Sequence, residues 1–138
     1  MKFTGALYGD DLLAYLATAD VGVAPDPFND FNDKLTMIKI LEYMACKLPV
    51  VIYDLAESRR SAGDSAVYAK PNDVVDFGER IGELLDKPLL RAQLGLNGRA
   101  RVEERLNWEF QKQILLQACL AGMEHYSIQA TPHCSILI

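Results

Sequence analysis

Two short apolar runs, Val21 to Ala24 and Val50 to Tyr53, constrain this chain more than any other feature. Each is uninterrupted rather than alternating, as in strands covered on both faces, and such strands belong to parallel sheets. Between them lie a polar loop, Pro25 to Asp33 (PDPFNDFND), and a helix-like stretch, roughly Asp33 to Lys47. Strand, loop, helix and strand make one βαβ unit. The loop then falls at the carboxyl edge of the sheet, where open α/β sheets bind ligands. Asp54 to Gly63 (DLAESRRSAG) leaves the second strand in the same direction, so the two loops are expected to be neighbours.

At about 100° per residue, Met37, Ile38, Ile40, Leu41, Met44 and Ala45 share one arc of the helix. Thr36, Lys39, Glu42, Tyr43 and Lys47 share the other, with Leu35 and Cys46 among them. Any surface helix shows two such arcs, so function has to be argued from position. Asn32, Asp33 and Thr36 fall at the expected N-terminus, where unpaired N–H groups and the helix dipole can receive an anion such as phosphate. Thr36, Lys39 and Glu42 step along at spacing three, which places a hydroxyl, a cation and a carboxylate on neighbouring turns. Hydroxyl and cation suit a diphosphate; a carboxylate accepts two hydrogen bonds from the paired hydroxyls of a ribose. The alternative for Glu42 is an exposed carboxylate that pairs with Lys39 and contributes little.

DKLTMIKILEYMACKLPVV, with the later DLAESRRSAGDSAVYAKPNDVVDF and LLDKPLLRAQLGLNGRARVEERLNWE, resembles the C-terminal, donor-binding domain of glycosyltransferase family 4, also called glycosyltransferases group 1. The resemblance runs from about Phe3 to Leu120 and is most specific in ILEYMA(C)xxPVV. It implies an α/β fold: a Rossmann-like parallel sheet with flanking helices, the C-terminal half of a GT-B fold, and a helical C-terminal part. It also implies the donor-binding part of a retaining glycosyltransferase, which moves a hexose from a nucleotide-sugar to a glycan or lipid-linked acceptor with no resident metal or cofactor. The acceptor would be held by an N-terminal domain. In the family two acidic residues separated by seven others flank the donor, and the second, which holds the ribose, resembles Glu42. The register of the first falls on Lys34, with Asp33 one place earlier; the NDxxT and Lys39 pattern resembles a branch with a different loop there. Glu57 matches a glutamate that follows the second strand. The candidate donor-binding set is therefore Asp33, Lys34, Thr36, Lys39, Glu42 and Glu57. The family's catalytic basic residues have no counterpart here, so no catalytic residue is assigned and the chain by itself is expected to be inactive. The competing function is a non-enzymatic α/β module that uses the same crevice to bind a nucleotide or a partner.

Composition narrows these alternatives. A chain of 138 residues, half of them hydrophobic, suffices for one core. A formal charge of −5 and a pI near 5.0 lack the basic face that nucleic-acid backbones require. No apolar run approaches the ~18 residues of a transmembrane segment, and no charged-then-apolar leader opens the chain. A cytoplasmic location is expected, with a peripheral membrane position open to the full-length protein. Cys46, Cys119 and Cys134 lack metal-ligand spacing, and the first two, in apolar helical contexts, read as core residues. Asp26, Asp30 and Asp33 lack the spacing of a calcium loop and read as turn formers.

Elsewhere, MKFTG reads as the end of a strand, so the chain is expected to be a piece of a longer protein. Asp10 to Thr18 reads as a helix with Asp10 as N-cap and Leu12, Leu13, Leu16 and Ala17 on the sheet. Arg59 and Arg60 either reach a phosphate or belong to a solvated loop. Ser65 to Ala69 is a third strand. Asn72 or Asp73 caps a helix to about Asp86, with Val74, Val75, Phe77, Ile81, Leu84 and Leu85 as its stripe. Pro88 opens another, in which Gly95 and Gly98 loosen the pattern. Arg99, Arg101, Glu103, Glu104 and Arg105 read as a solvated face. Asn107 caps a last helix anchored by Trp108, Ile114, Leu115 and Ala118. Residues 1–124 are assigned to the donor domain, and 125–138 form a tail with no assignment.

Overall fold

In the computed structural model of the chain, residues 3–129 are described, with side chains through residue 123. The elements run α1 (Gly9–Thr18), β1 (Gly22–Ala24), a 3-10 turn (Asn32–Lys34), α2 (Ile38–Ala45), β2 (Val50–Tyr53) and α3 (Ala56–Ala62). A second 3-10 turn (Gly63–Ser65), β3 (Ala66–Ala69), α4 (Val74–Leu85), α5 (Pro88–Arg101), a π-helical turn (Val102–Leu106) and α6 (Trp108–Gln129) follow. The three strands form one parallel sheet in the order β1-β2-β3, with Val51 opposite Val23 on one side and Val67 on the other. This is an α/β, Rossmann-like sheet with flanking helices and a helical C-terminal part. Two compact units divide the chain, residues up to Glu104 and residues from Arg105.

In the first unit all four residues of β2 are buried, as an uninterrupted Val-Val-Ile-Tyr run requires. Val51 and Tyr53 join Leu55, Ala69, Phe77, Leu84 and Leu94 in the main core cluster. β1 departs from the expected pattern. Gly22 and Ala24 are buried but Val23, on the other face of this edge strand, is 39% exposed. The glycine on its covered face is required by packing: a Cβ at Gly22 would stand 2.6 Å from the Tyr43 ring. Tyr43, read from the sequence as part of the polar arc, is therefore a packing residue, and burial raises its hydroxyl pKa.

The helix also starts later than its periodicity implied. α2 begins at Ile38 rather than Asp33, and residues 35–37 are irregular, with Leu35 and Met37 extended. The physical reason lies in the polar residues before it: Asn29 Oδ1 accepts the N–H groups of Phe31 and Asn32, and the Asp33 carboxylate takes a backbone N–H of α3. Such side chains offer the backbone an alternative to helix. Ile40 and Met44 are buried as expected, whereas Ile38 is exposed.

α2 ends at Ala45; Lys47, just past its C-cap, adopts a left-handed conformation (φ 59) while Leu48 N–H bonds back to Tyr43 O at 2.9 Å. Here α5 crosses. A Cβ at Gly95 would lie 2.1 Å from Lys47 O, and one at Gly98 would lie 3.1 Å from Met44 Cγ. The two glycines do not loosen α5; they let it approach α2. Arg99 and Arg101 are not a solvated face either: Arg99 donates to Ala45 O at 2.7 Å and Arg101 to Ser61 O at 2.8 Å and Arg60 O at 2.7 Å, tying α5 to the ends of α2 and α3.

Other expectations fare unevenly. Residues 3–8 form no strand. α1 has no side-chain cap from Asp10, and none of its residues is buried. Asp54 to Gly63 is mostly helix α3 instead of a loop. Asp73 caps α4 by accepting from the N–H groups of Val75 and Asp76, but of its stripe Phe77 and Leu84 are buried while Val74, Val75 and Leu85 stay exposed. Cys46 is half-buried, Cys119 is exposed rather than core, and Cys134 lies outside the described residues. In the second unit Asn107 Oδ1 accepts from Phe110 N–H at 2.9 Å, the expected cap of α6. The expected anchors Trp108, Ile114, Leu115 and Ala118 are exposed. α6 continues to Gln129, into the stretch expected to be a tail, whose remainder lies outside the described residues. Among the described residues no helix is long and apolar enough to cross a membrane.

The glycine contacts predict opposite outcomes for one substitution type. Gly95→Ala forces α5 away from the Lys47 carbonyl and is expected to cost about 1–3 kcal/mol. Gly82→Ala, within α4 where a Cβ meets nothing within 4 Å, is expected to add about 0.5–1 kcal/mol through helix propensity. Urea unfolding of both variants checks the pair; a Gly95→Ala chain as stable as wild type would refute the close crossing. A second prediction concerns Asp76, buried at the start of α4, which accepts Lys70 N–H at 2.7 Å and faces Arg80 at 3.2 Å. The Lys70 hydrogen bond, with Arg80, holds its carboxyl below the usual range. Stability from a depressed carboxyl is present above its unfolded pKa, about 3.9, and is lost as pH falls through the folded value. Asp76→Asn should therefore be less stable than wild type at pH 7, with the gap closing as pH falls below about 4. A gap unchanged between pH 7 and pH 3 would refute this.

Candidate functional site

Both segments expected at the carboxyl edge are there, and they touch. From Ala24 the chain runs through Pro25 and Pro27 to Phe28, whose N–H donates to Asn72 Oδ1 at 2.8 Å and whose carbonyl accepts from Asn72 Nδ2 at 3.3 Å. Asn29 then nucleates a turn, Asn32 Nδ2 bonds back to Pro27 O at 2.8 Å, and the 3-10 turn follows. Asp33 Oδ1 accepts the N–H of Ala56, the first residue of α3, at 2.8 Å. Thr36 donates its hydroxyl proton to Glu57 Oε1 at 2.6 Å. The loop after β1 is thus fastened to the turn after β3 and to the start of α3.

Most charges along this edge are matched within the fold. Both Asp26 carboxylate oxygens lie 2.8 Å from Lys39 Nζ. Arg59 grips Asp54 with two bonds of 2.6 and 2.7 Å, which holds the Asp54 carboxyl below its usual range and raises the guanidinium. The same guanidinium stands 3.7 Å over the Tyr68 ring, and burial pushes the Tyr68 hydroxyl up to about 12. Arg60 lies 3.7 Å from Glu57 Oε2. Arg59 and Arg60 accordingly face carboxylates here. Glu42 and Lys34 differ: both are exposed, and neither side chain has a hydrogen-bond or ion-pair partner among the described residues.

The later start of α2 changes which residues stand at a helix end. Its first N–H groups, at Ile38 and Lys39, receive no side-chain cap. Thr36 precedes that end and lies outside the helix, Lys39 lies in the first turn and Glu42 about one turn further on. Asn32 and Asp33 are removed from it, and Asp33 serves α3 instead. Glu57 joins the group through Thr36, and Lys34 sits at the end of the 3-10 turn. Sequence reasoning did not find the partners Asp26 and Asn72, which lie 13 residues from Lys39 and 44 from Phe28. Their only signals were a loop aspartate and an Asn-Asp pair at a helix start. Chemically, the edge offers an uncapped helix end for an anion, a hydroxyl and cations beside it, and a free carboxylate for paired hydroxyls.

Comparison with known proteins bears on this arrangement. A family model described as Glycosyl transferases group 1 matches residues 1–87. The chain is 31% identical over 112 residues to a GDP-mannose-dependent monoacylated alpha-(1-6)-phosphatidylinositol monomannoside mannosyltransferase of Corynebacterium glutamicum, a match covering 79% of this chain and 29% of that protein. It is 31% identical over 109 residues to an MMP alpha-(1->4)-mannosyltransferase of Mycolicibacterium hassiacum, covering 77% of this chain and 25% of the relative. Among solved structures, sucrose-phosphate synthase from Thermosynechococcus elongatus superposes with a TM-score of 0.62 at 27% identity, over 81% of this chain and 28% of that one. The chain thus matches between a quarter and a third of the length of each of these proteins.

Proposed function

The chain belongs to the Glycosyl transferases group 1 family, and on that premise we propose that it is the donor-binding part of a retaining glycosyltransferase using a nucleotide-sugar. The observation that carries this reading is the free Glu42 carboxylate one helical turn from the uncapped N-terminus of α2. A nucleoside diphosphate needs both features: N–H groups and a helix dipole for the phosphates, a carboxylate acceptor for the ribose hydroxyls. Thr36 and Lys39 flank the phosphate end, with Lys34 on the turn before it and Glu57 joined through Thr36, while Asp33 fastens the loop to α3. Charge on the departing diphosphate would be met by the helix end and these cations, and the reading assigns no resident metal or cofactor.

The sugar we favour is a hexose, mannose in particular, because the two curated relatives are both named as mannosyltransferases. The acceptor is a glycan or a lipid-linked saccharide, held by a part of the protein outside the matched segment. A lipid acceptor would place the full-length protein at a membrane surface.

Glu42→Gln tests the reading, because it keeps shape and helix propensity while replacing a charged acceptor by a neutral amide. A hydrogen bond to a charged group contributes about 1.5–3 kcal/mol, so affinity for GDP should fall roughly ten- to a hundredfold. Thermal unfolding should not move, since Glu42 has no side-chain partner to lose among the described residues. Calorimetric titration of wild type and variant reads both; equal affinities with unchanged unfolding would remove Glu42 from the site.

A further inference from the structure

The structure points to Asn72 as a residue that positions the donor site without touching the donor. We propose that its side chain sets the path of the loop after β1 and thereby prepares the start of α2 for a nucleoside diphosphate; the inference rests on the donor reading above. Both polar ends of the Asn72 side chain are used on one residue: Oδ1 accepts from Phe28 N–H at 2.8 Å and Nδ2 donates to Phe28 O at 3.3 Å. Asparagine is the side chain that supplies one donor and one acceptor on so short an arm. It also tolerates the left-handed backbone it occupies here, φ 61, a conformation that glycine would adopt more readily.

The reach of the loop shows what this bracket does. β1 and β3 flank β2, so they stand roughly 10 Å apart at ordinary strand spacing. From Ala24, the last residue of β1, to Phe28 the chain has four steps, an extended reach of roughly 13–14 Å. That reach spans the carboxyl end of β2 with roughly 3–4 Å to spare, and Pro25 and Pro27 favour an extended path. Asn72 holds its far end. After that anchor the chain turns at Asn29 and returns by way of Asp33 on α3 and Thr36 on Glu57 to the start of α2.

The mount itself is braced by hydrogen bonds. Asp73 N–H bonds Lys70 O at 3.1 Å, Lys70 N–H bonds Asp76, and the Asp73 side chain caps α4. A bracket on this turn transmits the position of β3 to a loop that belongs to β1. Releasing it leaves Phe28 to water and lets the loop sample other paths, which lowers affinity by loss of preorganisation.

Three versions of the full chain test this: wild type, Asn72→Gly and Asn72→Asp. Glycine accepts φ 61 and removes both hydrogen bonds; aspartate keeps the acceptor for Phe28 N–H and loses the donor. Expected results are a GDP affinity about five- to thirtyfold weaker for N72G by calorimetry, an intermediate loss for N72D, and thermal unfolding close to wild type for both. Hydrogen exchange at the Phe28 amide should lose protection in N72G and retain it in N72D. Wild type binding GDP with N72G binding it equally well overturns the positioning role and leaves the donor reading intact. A wild-type chain that binds neither GDP nor UDP overturns the donor reading, and this role with it.

Discussion

Four consecutive buried side chains on β2 cannot be covered from one side of the sheet. Val51 and Tyr53 turn to the cluster with Phe77 and Leu84, and the pleat sends Val50 and Ile52 to the opposite face. Burying both sets, at about 1.5–3 kcal/mol per large side chain, requires helices on each face of the sheet. Helical crossovers in turn make the strands parallel. Every loop that leaves a strand then emerges at one edge, which brings the segments after β1, β2 and β3 together.

The seating of α2 on this sheet is settled at contacts remote from the site. Gly22 admits the Tyr43 ring, Gly95 admits the Lys47 carbonyl, and Gly98 admits Met44. A methyl group would collide at Gly22 and Gly95 and be tight at Gly98, so the helix is held at close range at its C-terminal turn. Its N-terminal end makes none of these glycine contacts and carries no side-chain cap. Packing at one end of a short helix thereby sets the position of the other.

Along the carboxyl edge the charged groups serve the fold before they serve a ligand. Lys39 with Asp26, Arg59 with Asp54 and Glu57 with Thr36 and Arg60 are matched within the chain. Exposed or half-exposed pairs of this kind contribute at most about 1 kcal/mol each. They are therefore weak enough to be rearranged by a diphosphate, yet they hold the side chains near one another in its absence. Glu42 and Lys34, without side-chain partners among the described residues, need no such exchange.

The apolar runs at Val21 to Ala24 and Val50 to Tyr53, the arc of Ile40 and Met44, and the caps at Asp73 and Asn107 are all legible in the amino-acid sequence, because each depends on neighbours within a few residues. Lys39 and Glu42 keep their helical spacing of three for the same reason, whereas Thr36 falls outside the helix. What local pattern cannot reveal is how distant residues act on these preferences. Helical periodicity from Asp33 is overridden by an aspartate that finds Ala56, 23 residues away, and by Asn29 bonding the backbone before the helix can start. The arginines of α5 looked solvated because the carbonyls they meet, at Ala45 and Ser61, lie 54 and 40 residues distant. Gly95 looked like a weak point because nothing near it in the chain reveals the carbonyl against which it packs. Composition and period determined the strands, most of the helices and the edge at which the loops meet; only tertiary contact, which brings partners together regardless of sequence separation, decided where α2 begins, which charges stay free and what holds the loop in place.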